Sequence, residues 1–151
     1  MSVADTLNAI TGAATALGVA VAAWQLWLNT RQSRVTFEDA LTREYRDIAQ
    51  HLPLQALLGE PLNETDLENS LHLFYRYIDL TNEQLFLRQR RRIGSYTWRN
   101  WRDGITMNMS LPVFQQAWSA LSKKPVKRFS ELGRAMDERF TKDPRQWSQT
   151  H

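Results

Sequence analysis

An all-α protein is expected from three features of the chain. A long charge-free apolar run lies near its start, apolar residues recur at helical spacing through the rest of the chain, and no segment sustains a period-two alternation. The expected architecture is an N-terminal transmembrane helix followed by a small cytoplasmic helical bundle. Residues 1–30 are expected to anchor the chain, 31–142 to form the helical domain and 143–151 to be a polar tail.

The anchor comes first. Between Asp5 and Arg31 lie 25 uncharged residues, and their apolar centre, 7–28 (LNAITGAATALGVAVAAWQLWL), would reach roughly 33 Å as a helix against a hydrocarbon core of about 30 Å. A cleaved signal peptide wants basic residues ahead of the apolar run, and the one charged side chain there is Asp5. A soluble Ala-rich helix is the stronger rival, because Asn8, Thr11, Thr15 and Gln25 weaken the span, but such a helix normally carries a charged stripe. Trp24 and Trp27 stand where an interfacial aromatic belt belongs, and Arg31 and Arg34 follow at once. Positive charge downstream and none upstream puts the C-terminal side in the cytoplasm. Ala14, Gly18 and Ala22, with Gly12, Ala16 and Ala20 beside them, make small-residue ridges of the kind along which membrane helices associate; an Ala-rich span also produces this spacing by chance. A homo-oligomer is therefore open.

The composition then narrows the classes. There is no cysteine, so disulfides and thiolate metal sites are excluded, and the six Trp, six Phe and four Tyr argue for a packed domain. Residues 1–80 hold five basic and ten acidic side chains, net −5, and residues 81–151 hold fourteen and six, net +8. A basic half tethered beside an anionic leaflet suits lipid head groups, and nucleic acid is the other reading of the same charge.

The helices come in order. Phe37, Leu41, Tyr45, Ile48 and Leu52 keep one face up to Pro53, with 36–39 resembling a capping box; equally open is a helix running straight on from the anchor, since 31–35 contains neither Gly nor Pro. After a loop with Gly59 and Pro61, the box at 65–68 (TDLE) opens a helix over about 66–91. Its apolar residues make two faces: Leu67, Leu71, Phe74, Tyr75, Ile78, Leu85 and Phe86 on one, and Leu73, Leu80 and Leu87 on the other. A helix apolar on two sides belongs at the centre of a bundle. Arg88, Arg90, Arg91 and Arg92 complement the negative end of its dipole, and Gly94 suits the stop. Ser95 caps the next helix, where Trp98, Trp101, Ile105 and Met109 hold helical spacing. Pro112 then starts another with Val113, Phe114, Ala117, Trp118 and Leu121 on its face. Residues 123–125 (KKP) break it, and a last helix carries Phe129, Leu132, Met136 and Phe140. From Asp143 the chain is polar apart from Trp147.

One cluster looks catalytic. Glu68, His72, Arg76, Asp79 and Glu83 are three, four or seven apart and share a helix face, where carboxylates beside a His could bind a metal or move protons. The Glu-x-x-His pairs of di-metal bundles are missing and Arg76 suggests internal ion pairing, so a solvated structural stripe is favoured. Asn82 falls inside the large apolar arc, where a buried amide needs partners, and is read as a core hydrogen bond to a neighbouring helix or loop. There is no Gly-rich phosphate loop, no Gly-x-Ser-x-Gly elbow and no His-Glu-x-x-His, so neither an enzyme nor a cofactor is expected. The stretch 88–102 (RQRRRIGSYTWRNWR) could stack bases on Tyr96, Trp98 and Trp101, but the two Trp keep core spacing with Ile105 and are expected to point inward. Arg88, Arg90, Arg91 and Arg92 are thus expected to meet lipid or another anion, with an acidic protein partner or the protein's own acidic half as an equal choice.

The blocks 74–93 (FYRYIDLTNEQLFLRQRRRI), 97–105 (TWRNWRDGI) and 111–118 (LPVFQQAW), after an N-terminal span and 37–49 (FEDALTREYRDIA), resemble small uncharacterised bacterial inner-membrane proteins that share a domain of unknown function. The resemblance implies a single-pass anchor in a bacterial inner membrane with a cytoplasmic helical domain, and it supplies no activity or catalytic residue. If the blocks form one partner-binding surface, Asp79, Asn82, Glu83, Arg92, Trp98, Trp101 and Asp103 are its expected members. The expected function is interaction or regulation at the membrane, as an adaptor or sensor. The alternative is a membrane-tethered nucleic-acid binder, as in phage or plasmid defence.

Overall fold

Helix α1 runs from Val3 to His51 in the computed structural model, which describes residues 2–123 and 129–147, without the side chains of 6, 7, 9 and 10. Ser2 and Asp5 open it reciprocally: the Ser2 Oγ accepts from the Asp5 N–H at 3.2 Å, and the Asp5 carboxylate accepts from the Ser2 N–H at 2.9 Å. This satisfies two donors that a helix start otherwise leaves unpaired. The chain divides into two units, Met1–Phe37 and Glu38–His151, and the boundary falls within α1. No break follows residue 30 and no capping box forms at Thr36, because nothing in 31–35 interrupts helical hydrogen bonding.

In the first unit the apolar side chains Leu17, Val19, Trp24 and Leu26 are each more than 60% exposed. By length and composition α1 can cross a membrane, and none of its most apolar window is buried. Thr15 and Thr30 donate back to the carbonyls of Thr11 and Leu26, at 2.9 and 2.8 Å, so these hydroxyls need no outside partner. Trp24 and Trp27 lie 5.6 Å apart between ring centroids, and the Arg31 guanidinium stands 5.6 Å from the Trp27 ring.

The second unit holds the end of α1 and five further α-helices: α2 (Leu54–Leu57), α3 (Glu64–Gln89), α4 (Ser95–Ser110), α5 (Pro112–Ser122) and α6 (Ser130–Asp137). A short 3-10 turn follows at Pro144–Gln146, and no strand occurs among the described residues. As the two apolar faces require, α3 is central and touches α5, α6 and the 3-10 turn. Phe74, Ile78, Leu80, Leu85 and Leu87 are buried as expected, and Leu41, Ile48 and Leu52 bury the inner face of α1. Phe86 differs: it is 40% exposed, and the Arg90 guanidinium lies 5.3 Å from its ring. The buried face of α3 also includes Tyr77, Thr81, Gln84 and Arg88. At its middle Phe114 meets Phe74 and Tyr77 edge-on, both at 5.1 Å between centroids. The Tyr77 hydroxyl accepts from the buried Asn108 amide at 3.1 Å. Burial pushes the Tyr77 phenol up to about 12, so it stays protonated at neutral pH.

Several helix ends differ from expectation. Asn63, not Thr65, caps α3, accepting from the Asp66 N–H at 2.8 Å. Thr65 already lies inside the first turn. The stop of α3 is at Arg91, whose φ of 60° is left-handed, with the Arg92 N–H bonded to the Leu87 carbonyl and the Arg91 N–H to that of Arg88, both at 3.0 Å. These are the paired bonds of a Schellman motif, where glycine is usual. Gly94 instead precedes α4, and its N–H donates to the Glu38 carboxylate of α1 at 2.6 Å, while the Thr97 hydroxyl donates to the other oxygen at 2.5 Å. Ser95 is therefore not the cap. In α6 the first turn is capped from α3: the Leu132 N–H donates to the Asn82 amide oxygen at 3.0 Å, and the Asn82 amide donates to Glu131 at 3.1 Å. The interhelical hydrogen bond expected of Asn82 is thus present. Helix α5 ends at Ser122 before Lys123; Lys124 and Pro125 lie outside the described residues.

Phe114→Ala should destabilise the second unit by about 3–5 kcal/mol through loss of buried ring contacts and a residual cavity. Chemical denaturation of the full chain in detergent measures this, and a loss under about 1 kcal/mol would mean Phe114 is not at the core.

Candidate functional site

The end of α3 feeds an arginine into the interior. Arg88 is 2% exposed, and its guanidinium grips Asp143 with Nε at 2.9 Å and Nη2 at 2.5 Å from the two carboxylate oxygens. The same group donates to the Ile93 carbonyl at 2.8 Å and to the Ser95 hydroxyl at 3.3 Å, and lies 6.0 Å from the Trp98 ring centroid. A fork-to-fork pair of this kind is the strongest arrangement open to an arginine and a carboxylate. Burial pushes the Asp143 carboxyl up, but the bonds from Arg88 and from the Arg145 N–H outweigh it and hold the carboxyl below its ordinary range.

This corrects two expectations. Arg88 is not a helix-end cation offered to lipid, because all three nitrogens of its guanidinium are already hydrogen-bonded inside the fold. Residues 143–147 do not begin a free polar tail: Asp143 is the partner of Arg88, Pro144 and Trp147 are buried, and the Trp147 indole N–H donates to Glu138 at 2.8 Å under the Arg134 guanidinium. That bond is the main reason the Glu138 carboxyl lies below its ordinary range. Residues 148–151 lie outside the described residues.

Above the Arg88–Asp143 pair opens a cleft of about 380 Å³. The first turns of α4 supply Arg99 and Arg102, the left-handed residue after α3 supplies Arg91, and the 3-10 turn supplies Arg145. Five arginines and a single carboxylate thus line one cavity, with buried Trp98 as its apolar wall. Arg102 is paired with exposed Asp103 at 2.8 Å, and Arg145 donates to Ser95 at 3.2 Å. Among the described residues, Arg91, Arg99 and Arg145 of this lining have no carboxylate within ion-pair distance. A second, smaller cavity of about 100 Å³ lies between Tyr45, Tyr77, Gln84, Asn100, Trp101 and Ile105.

The expected partner-binding residues are distributed rather than clustered. Asp79 and Glu83 are exposed on α3, Asn82 is occupied as the cap of α6, and Arg92 is exposed beyond the end of α3. Trp98 is buried beneath the arginine cleft, half-buried Trp101 lines the smaller cavity, and Asp103 is exposed beside Arg102. The inward placement expected of the tryptophans is complete for Trp98 and partial for Trp101; Tyr96, by contrast, is 73% exposed. Arg90, Arg91 and Arg92 remain exposed. Glu68, His72, Arg76, Asp79 and Glu83 are all exposed, and Arg76 reaches across to Asp47 on α1 at 3.0 Å. His72 Nδ1 lies 3.0 Å from the Asn69 carbonyl of its own helix. No group of three or more His, Asp or Glu side chains among the described residues is placed to hold a metal.

Comparison with protein-family models, curated proteins and solved structures yields no match to the chain.

Arg88→Met should cost about 2–4 kcal/mol, below the range for a fully buried pair because Asp143 keeps part of its solvent. The pH dependence follows from the same pair. A carboxyl held below its unfolded value adds stability above roughly pH 4 and loses it as pH falls through the lower folded value. The melting temperature should therefore fall between pH 5 and pH 2 in the wild type, and fall less in Arg88→Met; equal acid sensitivity would mean the pair contributes nothing.

Proposed function

We propose that this protein is a membrane-anchored helical binding protein, an adaptor, sensor or regulatory subunit without catalytic chemistry. The anchor is the first unit of α1, set in a bacterial inner membrane with the Glu38–His151 unit on the cytoplasmic side. The observation that carries this is an apolar helical window with no buried residue, on a helix that also presents Trp24, Trp27 and Arg31. Large apolar side chains exposed along a helix need an apolar partner, and a lipid interior supplies one at the matching length. Arg31 and Arg34 downstream, with no cation upstream among residues 1–30, favour a cytoplasmic C-terminal side. On this reading the second unit engages an acidic protein surface or an anionic ligand through its arginine-rich face.

A second reading, a tethered nucleic-acid binder, draws on the arginine cleft and exposed Tyr96. It loses weight because Trp98 is buried and Trp101 half-buried, which leaves little aromatic surface for stacking.

Fractionation tests the anchor. The full chain should resist extraction by alkaline carbonate and dissolve in detergent, and a C-terminal reporter should be active on the cytoplasmic side. Leu17→Lys with Val21→Lys should shift the chain out of the membrane fraction, since each charge at the centre of a span costs about 2.5–3.5 kcal/mol. Wild-type chain recovered among soluble proteins would end this proposal.

A further inference from the structure

We infer that the cleft between α3, α4 and the Pro144–Gln146 turn is a binding site for a phosphomonoester dianion, with Arg91 and Arg99 as its recognising side chains. The inference rests on reading the protein as a binding protein and not on the anchor.

The charge in the cleft is uneven in a way the fold itself does not need. Arg88 and Asp143 neutralise one another and Arg102 has Asp103, while Arg145 keeps its charge and spends one hydrogen bond on the Ser95 hydroxyl. Arg91 and Arg99 are left facing the same cavity without a carboxylate among the described residues. Cations lining a concave, partly apolar wall concentrate their field there, and a guanidinium fork matches two phosphate oxygens at once. A phosphomonoester carries close to two negative charges at neutral pH, which Arg91 and Arg99, with Arg145 beside them, more than offset. At about 380 Å³ the cleft lies near the lower end of the range for small-molecule pockets, which fits a compact phosphorylated group more than a length of polymer.

Arg91 adds an independent argument. It occupies a left-handed position, φ 60°, at the end of α3, where glycine would close the same Schellman motif without strain. An arginine there carries a backbone cost that glycine avoids, and it places a guanidinium on the rim of the cleft.

The same chemistry comes from two sources, a soluble phosphorylated compound or a phosphate-bearing lipid head group, and the test separates them. Full-length protein in uncharged detergent is titrated by calorimetry with glycerol 3-phosphate, a soluble phosphomonoester, and, separately, with short-chain phosphatidic acid in the same micelles. Saturable binding of either is expected, with Arg99→Gln weakening it about tenfold or more. Arg91→Gly should weaken it similarly while the melting temperature holds or rises, which separates binding from folding. Arg46→Gln, an equal charge change on α1 outside the cleft, should leave affinity unchanged. Tighter glycerol 3-phosphate binding assigns a soluble ligand and tighter phosphatidic acid binding assigns a head group. The inference falls if neither probe binds, if Arg46→Gln weakens binding as much as Arg99→Gln, or if only DNA or RNA oligonucleotides bind. None of these outcomes bears on carbonate extraction, so the anchor stands or falls separately.

Discussion

The pairing of Arg88 with Asp143 is the constraint around which the second unit closes. A guanidinium 2% exposed cannot stay charged inside a fold without acceptors, and three are supplied from beyond its own helix: the Asp143 carboxylate, the Ile93 carbonyl and the Ser95 hydroxyl. They come from the turn before α4, the start of α4 and the segment after α6, which are separated in sequence by up to 50 residues. Satisfying one buried cation therefore fixes where α4 begins and where the C-terminal turn lies. It also brings together the backbone that carries Arg91, Arg99, Arg102 and Arg145, so the cleft and the buried pair are consequences of the same requirement.

The same logic recurs at the helix starts. Neither Gly94 nor Phe129 has a side chain that caps its helix, and in each case another helix supplies the acceptor: Glu38 of α1 for α4, and Asn82 of α3 for α6. Such a bond satisfies an orphan N–H and sets the register between two helices at once. Local capping stabilises a helix wherever it lies, whereas capping across the fold rewards a single arrangement. At Gly94 the approach is close enough that a Cβ would stand 3.3 Å from the Glu38 carboxylate oxygen, so the absence of a side chain there serves the contact and not a special backbone angle.

Much of this was legible in the sequence. Periodic apolar residues located α3, α4 and α5 within a residue or two, and the double apolar character of α3 placed it at the centre, because both features depend on short-range spacing that burial converts directly into packing. Asn82 was legible for a related reason, a single amide within an apolar arc. Arg88 was legible too, but only to a stricter pattern: Phe74, Ile78, Thr81, Leu85 and Arg88 follow four-three spacing along one buried face, so a charge there continues a core stripe. Its position next to Arg90–Arg92 suggested a helix-end cluster instead. Asp143, Arg99 and Arg145 carried no such mark, since their roles depend on contacts across 55 residues of chain or on which turn of α4 meets the C-terminal segment. The stop at Arg91 was illegible because glycine, the residue that ordinarily betrays a left-handed helix end, is missing from it and stands three residues later.

The two units also differ in what surrounds their apolar surface. In the second, most large apolar side chains are turned inward, with Leu54, Leu58, Tyr96 and Met107 among the exposed exceptions, and Phe74, Ile78, Leu85, Phe114 and Leu132 have no exposed surface at all. In the first, Leu17, Val19, Trp24 and Leu26 remain more than 60% exposed. At about 25 cal/mol per Å² of apolar area, leaving several such side chains in water forfeits several kcal/mol that packing would recover. A helix built only to support a soluble domain would gain by carrying charges on that surface, and none occurs between Asp5 and Arg31. The threonines reinforce the point, since Thr15 and Thr30 return their hydroxyl protons to carbonyls one turn back instead of presenting them outward. Apart from the amides of Asn8, Gln25 and Asn29, that segment offers water little to bind, which is the physical support for the proposal of an apolar environment around the first unit.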